Sequence, residues 1–218
     1  MKKLVVAIDG PAGAGKSTVA QIAAKKLGFT YIDTGAMYRA VAWKTLQQKK
    51  EVTDELIVEV VKDIKVRLQY ADGATKVFVD DYEVTGEIRT PEINAIVSQV
   101  AALGPVREKM VAQQREMAEN DSVLMDGRDI ATNVLPKADV KIFLTASIEE
   151  RARRRFKEMQ EKGFSVEFEK LKADIAARDK ADSEREISPL VQAEDAELLD
   201  TSDMSIDEVV QAILDRCK

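Results

Sequence analysis

With 218 residues, no histidine, one cysteine at position 217 and 33 basic against 39 acidic side chains, the chain is long enough for one sizeable core and carries a net charge of −6. Imidazole triads, imidazole metal sites, internal disulfides and cysteine metal clusters are excluded, which leaves carboxylates, arginines, lysines and hydroxyls to carry any reaction. The charge gives no general polyanion-binding surface, no apolar run approaches the roughly 18 residues of a membrane span, and a strand at the very start leaves no room for a signal peptide, so neither nucleic acid nor membrane is an expected partner and a cytoplasmic location is expected.

Leu4 to Ile8 is a short apolar run that reads as a strand, and it leads directly into Gly10 to Thr18, GPAGAGKST. Gly10, Gly15, Lys16 and Ser17 fit the pattern glycine, four residues, Gly-Lys-Ser/Thr, set between a strand and a helix as a phosphate-binding loop requires. Lacking a Cβ, Gly13 and Gly15 can take positive φ and press loop amides against phosphate oxygens. Gly10, Pro11, Ala12, Gly13, Ala14, Gly15, Lys16, Ser17 and Thr18 are therefore the expected ATP loop, and the helix behind it adds the positive end of its dipole. Lys16 supplies a charge for the outer phosphates and Ser17 a hydroxyl for magnesium. Asp9 and Asp33, at neighbouring strand ends, are expected to orient metal-bound water.

Val19, Ile22, Ala23 and Leu27 recur at helical spacing, and Gly28 stands where a helix-ending glycine belongs. A strand over Phe29 to Ile32 leads to DTGAMYR, where Thr34 near a helix start and Arg39 more than a turn further on make a second candidate anion site. Thr53 to Ile64 reads as a helix. From Lys65 the period becomes two: Val66, Leu68 and Tyr70 alternate with polar neighbours, Asp72-Gly73 marks a turn, Lys76 to Val79 runs back, and Tyr82 to Val84 can add a third strand. This is a small antiparallel insertion. Thr90-Pro91 starts a helix that carries Ser98 and runs to about Ala102; after Gly104-Pro105 another carries Arg107 and runs to about Glu119.

Val123 to Met125 is an apolar strand ending in DGRD, which puts Asp126, Arg128 and Asp129 at a strand's carboxyl end, where open α/β sheets bind ligands. Val140 to Leu144 is the next buried strand. Ser147 with Glu150 reads as a capping box for a helix whose first turns carry Arg151, Arg153, Arg154, Arg155 and Lys157. Such charge is costly at a helix N-terminus and among like neighbours unless an anion offsets it. Gly163 ends the run, Ser165 to Arg178 reads as a further helix, and Arg178, Asp182 and Arg185 recur at near-helical spacing. Leu198 and Leu199 form a last short strand, and Ser205 with Glu208 is a second capping box. Strands and helices alternating behind a phosphate loop imply an α/β, three-layer αβα P-loop NTPase frame built on a parallel sheet. Neither the N-K-x-D nor the D-x-x-G motif of a switch GTPase occurs.

IDGPAGAGKST, DTGAMYR, VTGEIRTPEI, DGRDI and RDKADSEREISPL together resemble the bacterial type of cytidylate kinase, in order and over essentially the whole chain. The resemblance implies a single P-loop nucleoside monophosphate kinase domain. Its core would be 1–34, 122–150 and 166–218, with a monophosphate-binding part and its β insert at about 35–121 and a short helical lid at about 151–165. The implied reaction is transfer from ATP to CMP or dCMP with Mg2+, and a monomer is expected. Position by position, the resemblance assigns Arg39, Arg128 and Arg185 to the acceptor phosphate with Thr34 nearby. Ser98, Arg107 and Asp129 would read the cytosine edge, and Asp182 with Arg178 would hold the ribose and adjoining phosphate. Lys16, Arg128 and the lid arginines Arg151, Arg154 and Arg155 would be the catalytic cations. Cytosine agrees with this set, since its ring and carbonyl acceptors suit an arginine and its amine suits a carboxylate. Two positions depart from the pattern: residue 34 is Thr rather than Ser, keeping the hydroxyl, and Lys157 has no family role. The competing readings are a kinase for UMP, AMP or another small acceptor on the same frame, and an ATP-binding module without transfer.

Overall fold

Strands buried on both faces and helices buried on one decide how the chain layers. The computed structural model describes residues 3–71, 73–161 and 163–218. In chain order it runs β1 (Val5–Asp9), α1 (Lys16–Leu27), β2 (Thr30–Asp33), α2 (Thr34–Leu46), α3 (Asp54–Asp63), β3 (Val66–Ala71), β4 (Ala74–Val79) and β5 (Tyr82–Glu83). There follow α4 (Pro91–Ala102), α5 (Gly104–Met117), β6 (Val123–Gly127), a π-helical turn (Ile130–Val134), β7 (Val140–Thr145), α6 (Ile148–Glu161), α7 (Phe168–Glu184), β8 (Glu197–Asp200) and α8 (Ile206–Arg216).

The main sheet has the order β2-β6-β1-β7-β8 and every pairing in it is parallel. Val6, Ile8, Leu124, Ile142 and Leu144 face α1 and α8, while Ala7, Ile32 and Met125 face Val111 of α5 and the π turn. Two covered faces make three layers. The register sets Ile8 and Asp33 beside Asp126, so the acids that end β1, β2 and β6 gather at one edge of the sheet. That edge is the carboxyl end at which such sheets bind ligands.

The antiparallel insertion is present as β3-β4-β5 and shares a core with α2, α3 and α4. Its second strand begins earlier than expected, at Ala74, and its third is only Tyr82–Glu83; Asp72 of the expected Asp72-Gly73 turn lies outside the described residues. The insertion leans on the main sheet, where the Tyr70 and Tyr31 rings meet edge to face with centroids 5.9 Å apart.

Local signals set most helix ends. Thr90 and Ser205 accept the expected capping hydrogen bonds, Thr53 caps α3 in the same way, and Gly28 ends α1 at φ 69°. The box at Ser147 is half formed: Glu150 N–H donates to Ser147 Oγ at 3.2 Å, but the Glu150 carboxylate turns to Arg153 and Arg154. A charged pair is the stronger partner. Helix α7 starts later than expected and continues through Glu184, because no glycine or proline interrupts the chain before Pro189. Arg178 and Asp182 therefore share one helix, with Arg185 at its end.

Gly127 is the tight point of this frame. A Cβ there would lie 2.6 Å from both Ile130 Cδ1 and Thr34 Oγ1. Gly127→Ala is expected to cost about 1–3 kcal/mol through overpacking, read as a lower urea midpoint; an unchanged midpoint would show that β6 has room to spare.

Candidate active site

The loop between β1 and α1 turns as its glycines permit, with Gly13 at φ 74° and Gly15, the N-cap of α1, at φ 84°. Lys16 is buried, and its Nζ donates to Pro11 O at 2.8 Å. Burial drives the ammonium pKa well below its usual value; Arg128 adds to this, and Asp126 and Asp9 oppose it. Ser17 Oγ donates to Asp126 Oδ2 at 3.0 Å, and Tyr31 OH donates to Asp126 Oδ1 at 2.6 Å. Burial, with Asp33 nearby, pushes the Asp126 carboxyl up. A hydroxyl and a carboxylate side by side are the oxygen donors a hard cation takes. Magnesium commonly binds through one or two carboxylates plus substrate phosphates, so this pair fits it when a triphosphate is present.

The two acids expected to serve magnesium are engaged elsewhere. Asp9 accepts from the Ile130 and Ala131 amides, both at 2.8 Å, and so fixes the π turn behind β6. Burial raises its pKa to about 6. Asp33 caps α2 by accepting from Ala36 N–H at 2.9 Å and pairs with Arg89 at 2.8 Å. The residue that does reach Ser17, Asp126, stood in the DGRD motif but had no role of its own. What marked it was its place at the end of the strand beside β1. Tyr31 stood only in an expected strand, and Arg89, within VTGEIRTPEI, was given no role.

The arginine-rich helix α6 is already paired. Arg151 is buried; its Nε donates to Ala146 O at 2.9 Å, and its Nη1 donates to Ala12 O at 2.8 Å and to Asp179 at 2.5 Å. Arg154 donates to Thr201 O at 2.5 Å and Ala14 O at 3.4 Å, and its Nε meets Glu150 at 3.0 Å. Arg155 reaches Glu158 at 2.7 Å. Repulsion along the helix is thus relieved by i,i+3 and i,i+4 acids and by loop carbonyls. Arg151 and Arg154 hold the phosphate loop by its backbone.

The residues expected on the acceptor side come from five elements, α2, α4, α5, the end of β6 and α7. Arg107 on α5 is paired with Asp129 after β6, both side chains being at most 5% exposed, and donates to Ala101 O at 3.1 Å. Asp129 Oδ2 also accepts from Asn133 at 3.0 Å, while Oδ1 faces Arg185 Nη2 at 3.6 Å. Arg128 Nε donates to Asp182 Oδ2 at 2.8 Å. Burial would raise the Asp182 carboxyl, but Arg128 and Arg178 outweigh it and hold its pKa low. Thr34 Oγ1 donates to Asp126 O at 2.7 Å, and Arg39 Nη1 donates to Asn94 Oδ1 at 2.5 Å. Ser98 is half-buried on α4 between Asn94 and Ala101, at spacings that keep the three on one face. The Arg39 pKa falls to about 9 through burial and then Arg178 and Arg89; that of Arg178 falls to about 10 through burial and then Arg128. Cations that depress one another in this way gain from an anion placed among them.

The family model of cytidylate kinase matches residues 6–218. Curated cytidylate kinases of Bacillus cereus and Bacillus anthracis are each 54% identical over 214 residues, which is 98% of this chain and 95% of the relative. Among solved structures, an uncharacterized protein from Eubacterium ventriosum aligns with TM-score 0.52 at 13% identity, over 98% of this chain and 97% of that one. A gluconokinase from Sinorhizobium meliloti aligns with TM-score 0.51 at 13% identity, over 99% and 93%. At that identity the likeness is one of fold alone.

Tyr31→Phe removes a donor from a buried carboxylate and is expected to cost about 1.5–3 kcal/mol of stability. Chemical denaturation at pH 8, where Asp126 is ionised, measures the loss; a midpoint equal to that of the parent would mean another donor replaces the phenol.

Proposed function

The chain belongs to the cytidylate kinase family, and on that premise we propose that it transfers the γ-phosphoryl group of ATP to CMP or dCMP, giving ADP and CDP or dCDP. It is a nucleoside monophosphate kinase; the substrate, the metal, a cytoplasmic location and a monomeric state are our reading. An oxygen of the acceptor phosphate forms the new P–O bond as the bond from γ-phosphorus to the bridging oxygen breaks and ADP leaves. The chain need supply no nucleophile, so positioning and charge carry the rate.

The Arg107–Asp129–Arg185 assembly carries this reading, since it sets cation and carboxylate edges side by side and out of water. Asp129 Oδ1, met only at 3.6 Å by Arg185, would accept the cytosine amine, with Arg107 and Ser98 facing its ring and carbonyl acceptors. Uracil would point a carbonyl at that carboxylate and leave it unpaired. Arg39, Arg128 and Arg185 would hold the acceptor phosphate, and Arg178 with Asp182 the ribose and the adjoining phosphate. Lys16 would leave Pro11 O for the outer phosphates of ATP. Mg2+, held through Ser17 and Asp126 rather than through Asp9 or Asp33, would supply further neutralisation of the triphosphate. Of the lid arginines, Arg155 is the one whose charge reaches Arg39 and Arg178, so it fits the transferring group. Arg151 and Arg154 shape the loop. The division into core (1–34, 122–150 and 166–218), monophosphate-binding part (about 35–121) and lid (about 151–165) follows the same reading.

An ADP-release assay across CMP, dCMP, UMP and AMP tests the acceptor, with the cytidine nucleotides expected to be used best. Lys16→Ala should lower turnover by at least about a hundredfold without loss of the folded state; near-normal turnover would overturn the donor assignment. For base selection, Asp129→Ala would strand Arg107, at a cost of about 3–5 kcal/mol for a broken buried pair, so Asp129→Asn is the cleaner variant. Its ratio of kcat/KM for CMP over UMP should fall about tenfold or more, a loss of at least ~1.4 kcal/mol in discrimination; an unchanged ratio would remove Asp129 from base reading.

A further inference from the structure

We propose, on the acceptor-site reading above, that Asp179 is a positioning residue that ties the phosphate loop to the acceptor site along α7, so that each nucleotide tightens the binding of the other. Neither the loop pattern nor the family resemblance gives this residue a role. Its Oδ1 accepts from Ala12 N–H at 3.0 Å, and its Oδ2 takes Arg151 Nη1 at 2.5 Å. The same Nη1 donates to Ala12 O at 2.8 Å. One ion pair therefore grips both polar groups of Ala12, the residue before Gly13 and its φ of 74°. Holding those two peptide planes selects the loop conformation that turns the following amides inward.

Three residues further along the helix, on the same face, Asp182 takes Arg128 Nε at 2.8 Å. Arg178 is the immediate neighbour of Asp179. A single stretch of α7 thus touches the donor loop through one acid and the acceptor residues through the next. The helix also carries a built-in tension. Arg178 is half-buried with its Nε buried and unpartnered, and the charges of Arg128 and Arg155 bear on it. That crowding opposes seating α7 against α4 and α6.

An acceptor phosphate removes the opposition. It would bridge Arg39 on α2 and Arg128 at the end of β6 to Arg178 on α7, while the ribose occupies Asp182. The bridge holds α7 where Asp179 reaches Ala12, and the loop is then formed before ATP arrives. Linkage requires the reverse as well: triphosphate in the loop steadies Arg151 and Asp179, and through them the acceptor face of α7.

Calorimetric titration of the full chain with a non-hydrolysable ATP analogue, with and without saturating CMP, reads this coupling directly. The parent is expected to bind the analogue at least about fivefold more tightly with CMP present. In Asp179→Ala that ratio should collapse to near one while affinity for CMP alone stays within about twofold of the parent. Asp179→Asn keeps an acceptor for Ala12 N–H but loses the ion pair, so its ratio should fall between the two, and it stands in for the alanine variant if that one does not fold. A variant ratio equal to that of the parent overturns the proposal, as does a parent that binds both nucleotides without coupling. A parent that binds no CMP overturns the acceptor reading itself, a separate and recognisable failure.

Discussion

Removing water from several cations around one cleft is the constraint on which the structure depends. An ion drawn into a protein interior costs several kcal/mol unless partners replace its hydration. Here Lys16, Arg39 and Arg178 are all shifted toward the uncharged form by burial and by one another. The fold answers with backbone carbonyls and acids drawn from distant segments. Pro11 O holds Lys16, Ala12 O and Ala146 O hold Arg151, Ala101 O holds Arg107, and Thr201 O holds Arg154. The strand ends, the loop and the start of α6 must meet closely for these contacts to form.

Two populations of arginine result, and they do different work. Arg151 has an acid and two carbonyls, and Arg154 has carbonyls and Glu150; both fix the shape of the protein around them, while Arg107, held by Asp129 and Ala101 O, keeps its Nε unpartnered. Arg39 has only a neutral amide oxygen, and Arg178 Nε has no partner. These are the groups whose charge a bound phosphate would satisfy, and a ligand that does so also relieves the fold of its strain. The same division explains why a run of arginines on α6 cannot be assigned one common role. The arginines differ in what the folded chain has already placed beside them.

Much of the frame was legible because its signals are local. The phosphate loop, the caps at Thr90 and Ser205 and the glycine after α1 each depend on residues a few positions apart and formed as read, and the period-two insertion formed with shifted strand ends. The parts that escaped depend on pairs far apart in sequence. Tyr31 meets Asp126 across 95 positions and Asp9 meets Ile130 across 121. No spacing rule connects such residues. Asp9 and Asp33 were expected at the metal because both end strands beside the loop, yet each lies nearer to backbone amides that need an acceptor. The π turn had no sequence mark, since what holds it is the Asp9 carboxylate.

Thr34 shows how far side-chain geometry can sharpen a role that family likeness leaves broad. Its hydroxyl proton is given to Asp126 O at 2.7 Å, and a Cβ on Gly127 would lie 2.6 Å from its oxygen. The oxygen therefore has only acceptor capacity left, and a phosphate oxygen, itself an acceptor, gains nothing from it unless the bond to Asp126 O breaks. A sugar hydroxyl is a donor and suits that oxygen as it stands. On the proposed reading, Thr34 thus suits the ribose side with Asp182, and the phosphate is left to Arg39, Arg128, Arg178 and Arg185. This assignment separates the hydroxyl-reading part of the pocket from its charge-reading part, and Gly127 sits at the boundary between them.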